Sequence, residues 1–250
     1  MKLTQILQVI DWLAKTNSIS KPWIVGGIPR DKILGRKNDL IDIDITTGDN
    51  SIHALAQKTA IKLAPYVSSF VVLNDGHSRM IIDNWKFDFS SNFKVPNIKF
   101  SLEKNGMKNV VSMDEEIFSR DFTCNTLLLS LDLKQMYDVT QRARTDISNK
   151  IIDTCLDPDI TLKNDPKRIV RVIYLASKLN FSISERVENW IQKNSSFILK
   201  AGNEYNKKKI IKALKYNPEI CVQLLDKFNL WRHLPVIPEL VQYMNKPERI

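Results

Sequence analysis

Residues 25–47, VGGIPRDKILGRKNDLIDIDITT, hold a helical pattern followed by an alternating one. Just upstream, Trp23-Ile24-Val25 forms a short apolar run that reads as a strand and leads into Gly26-Gly27. Pro29 opens a helix of one or two turns that ends near Gly35, because proline suits the first helical position. From Ile41 to Thr46 polar and apolar residues alternate strictly. In a strand that puts Ile41, Ile43 and Ile45 on one face and Asp42, Asp44 and Thr46 on the other.

The polar face carries the chemistry. Two neighbouring carboxylates repel each other unless a cation sits between them. Hard oxygen ligands on a rigid strand suit Mg²⁺. Two such ions can activate an attacking hydroxyl and neutralise a leaving pyrophosphate. Asp88 lies on the polar side of a second alternating segment, 85–90, and is the candidate third ligand. Gly26 and Gly27 would let a phosphate approach the backbone, and the helix start that follows favours anions. Arg30 and Asp31 fall in the first helical turn. Two aspartates at this spacing are, on their own, more often the solvated side of a half-buried strand. The preceding strand, double glycine and short helix make the combination much narrower.

Outward from this stretch, Leu3, Ile6, Leu7, Ile10 and Leu13 recur at helical spacing and predict an amphipathic helix over 3–15. A helix is expected over 51–63. Strands follow near 69–73 and 79–83, with Asn74-Asp75-Gly76 as the turn between them. Residues 91–112 are polar and lysine-rich and read as a long mobile loop; a strand or turn then leads into Leu127-Leu128-Leu129. Beyond about residue 145 no further strand is expected. Helical patterns dominate at 165–179, 184–193, 207–215 and 217–228. The expected fold class is therefore α+β: a head with a small mixed sheet over 1–140, then an all-helical part over 141–250.

Of the 250 residues 43% are hydrophobic, enough for one long domain or two small ones. Lys and Arg outnumber Asp and Glu by 37 to 28, a formal charge of +9 that favours an anionic partner such as nucleic acid or nucleotide. Cys124, Cys155 and Cys221 are odd in number and far apart. They predict reduced, buried thiols in a cytoplasmic protein, with no disulfide framework or zinc spacing. The start, Met1-Lys2-Leu3, soon meets Asp11 and Lys15, so no signal-peptide core is expected. No apolar run approaches a membrane span, and no membrane partner is expected. Lys94, Lys99, Lys104 and Lys108, with Lys207-Lys208-Lys209, are candidates for phosphate contacts.

Four segments, in order, resemble one family. Residues 25–47 look like the head signature VGGxVRDxLLGRxxxDxDIxT of class II tRNA nucleotidyltransferases (CCA-adding enzymes) and bacterial poly(A) polymerases. Residues 113–125, MDEEIFSRDFTCN, are similar to LEEDLxRRDFTxN. Residues 137–152, YDVTQRARTDISNKII, resemble DPTGxGxxDLxxxxI, and 164–181, NDPKRIVRVIYLASKLNF, resemble EDPxRxLRAxRFAxKLGF. The resemblance implies a polymerase-beta-like nucleotidyltransferase head followed by a helical neck and partial body. It implies catalytic, metal-binding Asp42 and Asp44, with Gly26, Gly27, Arg30 and Arg120 at the nucleotide triphosphate. It also implies that Asp165 and Arg168, with Arg171, form a protein template for the base. Spacings of i, i+3 and i+6 would place those three on one helix face. A carboxylate accepts from an exocyclic amine while a guanidinium donates to ring acceptors, so one such pair suits both adenine and cytosine.

The implied activity is template-independent addition of CMP and AMP, from CTP and ATP, to an RNA 3′-hydroxyl, with Mg²⁺ as cofactor and the tRNA 3′ end as leading acceptor. Poly(A) addition, or addition of CC or A alone, is the alternative, and a non-catalytic RNA-binding relative is a further one. The chain departs from the pattern at Ser119, where the family has arginine, at Gln141 and Ala143, where it has glycines, and at Asn164 and Tyr174.

Overall fold

The computed structural model describes residues 1–36, 42–73, 77–91, 94–235 and 237–240. Ile41, the turn expected at Asn74-Asp75-Gly76 and two positions of the 91–112 segment lie outside the described residues. Two compact units divide between Ile147 and Ser148, and each is described by itself.

The first unit begins with α1 (Leu3–Thr16), β1 (Trp23–Val25), α2 (Gly27–Ile33), β2 (Asp42–Thr46) and α3 (Ser51–Lys62). β3 (Val67–Val72), β4 (Ser78–Ile82) and β5 (Trp85–Phe89) follow, then α4 (Ile98–Lys104), α5 (Ser112–Phe118), β6 (Leu128–Leu129), β7 (Met136–Tyr137) and α6 (Ala143–Ser148). The strands form one seven-stranded sheet in the order β3-β4-β5-β2-β1-β6-β7. It is mixed, because β2 runs parallel to β5 and antiparallel to β1. Ile43 and Ile45 are fully buried and pack in one core with Ile6, Leu7 and Ile10 of α1 and Ile52, Leu55 and Ala56 of α3. Burial of each such side chain stabilises by about 1.5–3 kcal/mol. That burial pins the register, and a one-residue slip would turn both aspartates into the core.

Two local readings are corrected. α2 starts at Gly27, so Pro29 is its third residue, where a missing N–H costs nothing because the first four have no helical partner. The 91–112 segment is not wholly irregular: α4 buries Ile98 and Leu102, an i, i+4 pair that the lysine-rich composition masked. Lys94 there donates to Ser112 at 3.0 Å and pairs with Glu115 at 3.5 Å. At the family's glycine position, Gln141 adopts φ +56. Asp138 holds the turn by accepting from Thr140, Ala143 and Arg144.

Asp49 stands just before Asn50, the N-cap of α3. Its Oδ1 accepts from the Ser51 amide at 2.9 Å and from the Ser51 and Thr47 hydroxyls, and its Oδ2 from Ser20. Burial works to raise its pKa, but these hydrogen bonds prevail and hold it below the usual carboxylate value. A lowered folded pKa means stabilisation that is present above the unfolded value and is lost as pH falls through the folded one. Losing these hydrogen bonds in Asp49→Ala is expected to cost about 1 kcal/mol at pH 7. Urea unfolding of both proteins should show that difference shrink toward zero in strong acid.

The second unit contains β8 (Ile151–Ile152), α7 (Pro158–Asn164), α8 (Lys167–Leu179), β9 (Ser182–Ile183), α9 (Glu185–Lys193), α10 (Asn203–Tyr216) and α11 (Pro218–Lys227). It is not all-helical. β8 and β9 form a parallel two-stranded ladder, each strand too short to show alternation in sequence. α8 is central, with Ile169, Val170, Val172, Ile173 and Ala176 fully buried. Asn217 caps α11 by accepting from the Ile220 amide. Trp190 is buried and donates to Asp159, which fits a core residue. Among the described residues no helix is long and apolar enough to cross a membrane.

Candidate active site

The site begins at the junction of β1, α2 and β2. Antiparallel pairing sets Val25 opposite Asp44. The chain then turns at Gly26 with φ +81, a conformation that L side chains rarely adopt. A Cβ added at Gly26 would stand 2.5 Å from Asp44 Oδ2, so the glycine makes room for that carboxylate. Gly26→Ala is therefore expected to displace Asp44. The backbone there (φ +81, ψ −130) suits glycine alone, so the substitution should also cost about 1–3 kcal/mol of stability, which a melting curve reads.

On the sheet face away from the isoleucines, Asp42 is exposed and Asp44 half-buried. The parallel partner β5 sets Lys86 beside Asp42 and Asp88 beside Asp44. Lys86 Nζ lies 2.9 Å from Asp42 Oδ1 and 3.8 Å from Asp88 Oδ2. Arg79, across from Asp88 on β4, donates to it at 2.7 Å. That hydrogen bond and the charge of Asp88 raise the Arg79 pKa, with Asp42 and Asp44 adding to the effect against burial. Three carboxylates thus share a face with two cations. Asp88, the candidate third ligand, is engaged by Arg79, and among the described residues no three His, Cys, Asp or Glu side chains gather as a metal cluster.

Arg30 turns inward. It is 3% exposed, its Nε donates to Asp31 Oδ1 at 2.8 Å, and its Nη1 donates to Asn125 Oδ1 at 2.7 Å. Asn125 in turn accepts from the Gly26 amide through its carbonyl and donates to Asp121. In this arrangement Arg30 ties the double-glycine turn to residues 121–125 and does not face solvent. Gly27 lies over its guanidinium: an added Cβ would meet Nη2 at 3.3 Å. Arg120 Nη2 donates to the buried Glu116 at 2.9 Å, and Glu116 also accepts from Thr46 at the end of β2. The sequence reading missed Lys86, Arg79, Glu116 and Asn125. Lys86 was detectable, because the alternation of 85–89 places it on the face of Asp88.

In the second unit, Asp165 precedes α8 in an extended conformation and is not part of the helix face expected for it. Its Oδ1 accepts from the Lys167 amide at 3.1 Å, and its Oδ2 lies 3.7 Å from Arg168 Nε. The Asp165 side chain is 41% exposed and that of Arg168 8%. Arg168 Nη1 also reaches the Thr161 carbonyl at 3.4 Å. The two charges therefore sit together at the start of α8, with the carboxylate the more open. Arg171 stands one turn further along the helix, partly buried.

A mixed sheet with a strand, double glycine, short helix and carboxylate strand defines the class of nucleotidyltransferase heads. The sequence profile of the Poly A polymerase head domain matches residues 22–153, more than half of the chain, and the chain belongs to that family. Among curated proteins it is similar to tRNA nucleotidyltransferase cca2 of Schizosaccharomyces pombe, 27% identical over 246 residues, covering 92% of this chain and 51% of that protein. It is also similar to the A-adding tRNA nucleotidyltransferase of Aquifex aeolicus, 26% identical over 241 residues, covering 92% of this chain and 27% of that one. The structure of the Bacillus stearothermophilus CCA-adding enzyme in complex with CTP matches with a TM-score of 0.74 at 20% identity, covering 98% of this chain and 57% of that one. That likeness shows the fold. The chain spans about half or less of the length of these curated relatives.

Proposed function

We propose that this chain carries the catalytic part of a template-independent RNA nucleotidyltransferase. It would add CMP and AMP, from CTP and ATP, to the 3′ end of tRNA. The observation that carries this reading is the placement of Asp42 and Asp44 on one strand face, with the Asp44 carboxylate packed over the Gly26 turn.

Mg²⁺ is commonly held by one or two carboxylates and completes its shell with water and substrate phosphates. Asp42 and Asp44 on one strand face, with Asp42 paired to the Lys86 ammonium, fit that donor set. Bound there, the metal would supply the charge that activates the 3′-hydroxyl and neutralises pyrophosphate. In the reaction the RNA 3′-oxygen forms a bond to the α-phosphorus as the bond from that phosphorus to the bridging oxygen of pyrophosphate breaks. This chemistry needs positioning and charge neutralisation, and no covalent nucleophile. Asp42, paired with Lys86 in this structure, would hold the metal ion together with Asp44. Arg79 holds Asp88 in place, while Gly26 leaves room for the Asp44 carboxylate and Gly27 for the Arg30 guanidinium. Arg30 and Asn125 hold that turn rigid, while Arg120 stands ready at the triphosphate through its link to Glu116. Asp165 and Arg168 read the base.

A narrower reading, addition of A alone, is favoured by the likeness to the Aquifex protein. Incubation of tRNA lacking its 3′ CCA, and of tRNA ending in CC, with Mg²⁺ and each labelled nucleotide separates the two. Full addition needs CTP and then ATP, whereas A addition ignores CTP and acts only on tRNA ending in CC. No incorporation onto either tRNA would refute both.

A further inference from the structure

The α10 helix has a face that the proposed chemistry leaves unused. Asn206, Ile210 and Ala213 are fully buried and form its inner stripe. Lys208, Lys212 and Lys215 are exposed and stand about 200° around the helix from them. α10 carries five lysines, Lys207, Lys208, Lys209, Lys212 and Lys215, against the single acid Glu204. Lys207, Lys208, Lys212 and Lys215 form no ion pair among the described residues.

Aromatic rings interleave with these charges. A groove of about 370 Å³ runs along Tyr205, Lys208, Lys209, Ile211, Lys212 and Lys215. Its apolar floor is the Tyr205 ring with Ile211 and the lysine stems. On the flank toward α8, Lys209 Nζ lies 4.8 Å from the Tyr174 ring and 5.7 Å from Tyr205, and Lys167 Nζ lies 5.4 Å from Tyr205. Tyr174 and Tyr216 meet edge to face at 5.9 Å beneath Lys178.

We propose that this face of α10 is a docking surface for a single RNA strand, whose phosphates meet the Lys208, Lys212 and Lys215 stripe while a base stacks on Tyr205. A solvated charge run needs no aromatic floor, whereas single-strand binding combines a cationic track with rings on which bases stack. The lysines recur at about 5 Å along the helix axis, which gives successive phosphates successive partners. The inference rests on the reading of the chain as an enzyme acting on RNA, and it locates part of the acceptor on this face.

The test uses the full chain and a fluorescein-labelled single-stranded RNA of about twelve nucleotides, a length suited to such sites. The triple variant Lys208→Ala, Lys212→Ala, Lys215→Ala should weaken binding at least about tenfold and reduce the slope of log affinity against log salt by about 2. Tyr205→Ala should lose about fivefold or more while Tyr205→Phe binds as wild type, because stacking needs the ring and not the hydroxyl. All three variants alter partly or fully exposed positions, and melting curves verify that they fold. RNA affinity and salt slope unchanged in the triple variant would overturn the proposal. So would displacement of the RNA by polyglutamate or phosphatidylserine vesicles at equal charge, which would assign the face to an acidic protein or a membrane. Nucleotide incorporation measured on the same samples keeps the two readings apart. Wild type that adds nucleotides while the triple variant binds normally refutes only the docking face. Wild type that binds RNA through these residues but adds nothing refutes only the enzymatic reading.

Discussion

Asp44→Ala should lower nucleotide incorporation by about a thousand-fold or more with little change in stability. The loss corresponds to about 4 kcal/mol of transition-state stabilisation, within the several kcal/mol that metal-held charge supplies. Asp44 shares its face with Asp42 and Asp88, and its carboxylate sits over Gly26. Removing it takes a donor from the site and leaves Ile43 and Ile45, which hold the strand, untouched. Asp42→Ala should behave alike. Asp42 is 66% exposed and, among the described residues, pairs with Lys86 in a surface contact, and such pairs stabilise by about 0–1 kcal/mol. Steady-state incorporation with Mg²⁺, beside thermal melting, reads both quantities. Near-normal Mg²⁺-dependent activity in either variant would show that the pair is a solvated strand face.

Asp165→Ala should relax base choice instead. With wild type, CTP and ATP should be used and GTP and UTP rejected at least about tenfold. Guanine and uracil present a carbonyl oxygen where adenine and cytosine present an amine, and that oxygen would oppose the Asp165 carboxylate. Once a bound base shields them from water, opposed and unsatisfied acceptors cost about 1–3 kcal/mol, more when one is charged. The pair is asymmetric, with Arg168 buried and its Nε 3.7 Å from a carboxylate that remains accessible. Loss of Asp165 therefore removes the acceptor that favours an amine and leaves the guanidinium in place. An unchanged preference order in Asp165→Ala would make the pair a structural one.

The head was legible where side-chain period and burial agree. Ile43, Ile45, Asp42 and Asp44 alternate in the sequence and do so in the sheet, because one face is buried by α1 and α3. β8, β9 and α4 were not legible. A two-residue strand has no period to read, and the i, i+4 pair of Ile98 and Leu102 is diluted by lysine. The site was visible through its acids and glycines more than through its cations. Arg30 lies in the expected place, but its pairing with Asp31 and Asn125 depends on a residue 95 positions away. Asp165 was expected on the helix with Arg168, yet Pro166 is the N-cap, and the residue before a proline is pushed to extended backbone. Residues 121–125 support the turn through a carbonyl and an amide, which a pattern of side chains does not announce.

Asp44 and Asp165 divide the work proposed for this chain, the first serving chemistry and the second base choice. Single-nucleotide incorporation with each of the four nucleotides, onto tRNA lacking its 3′ CCA and onto tRNA ending in CC, separates these roles when wild type, Asp44→Ala and Asp165→Ala are compared. Asp44→Ala should lose rate with every nucleotide and keep any residual preference for CTP on the first acceptor and ATP on the second. Asp165→Ala should keep most of its rate and lose the preference. Equal losses of rate in both variants with the preference intact, or wild type that uses all four nucleotides alike, would contradict this division.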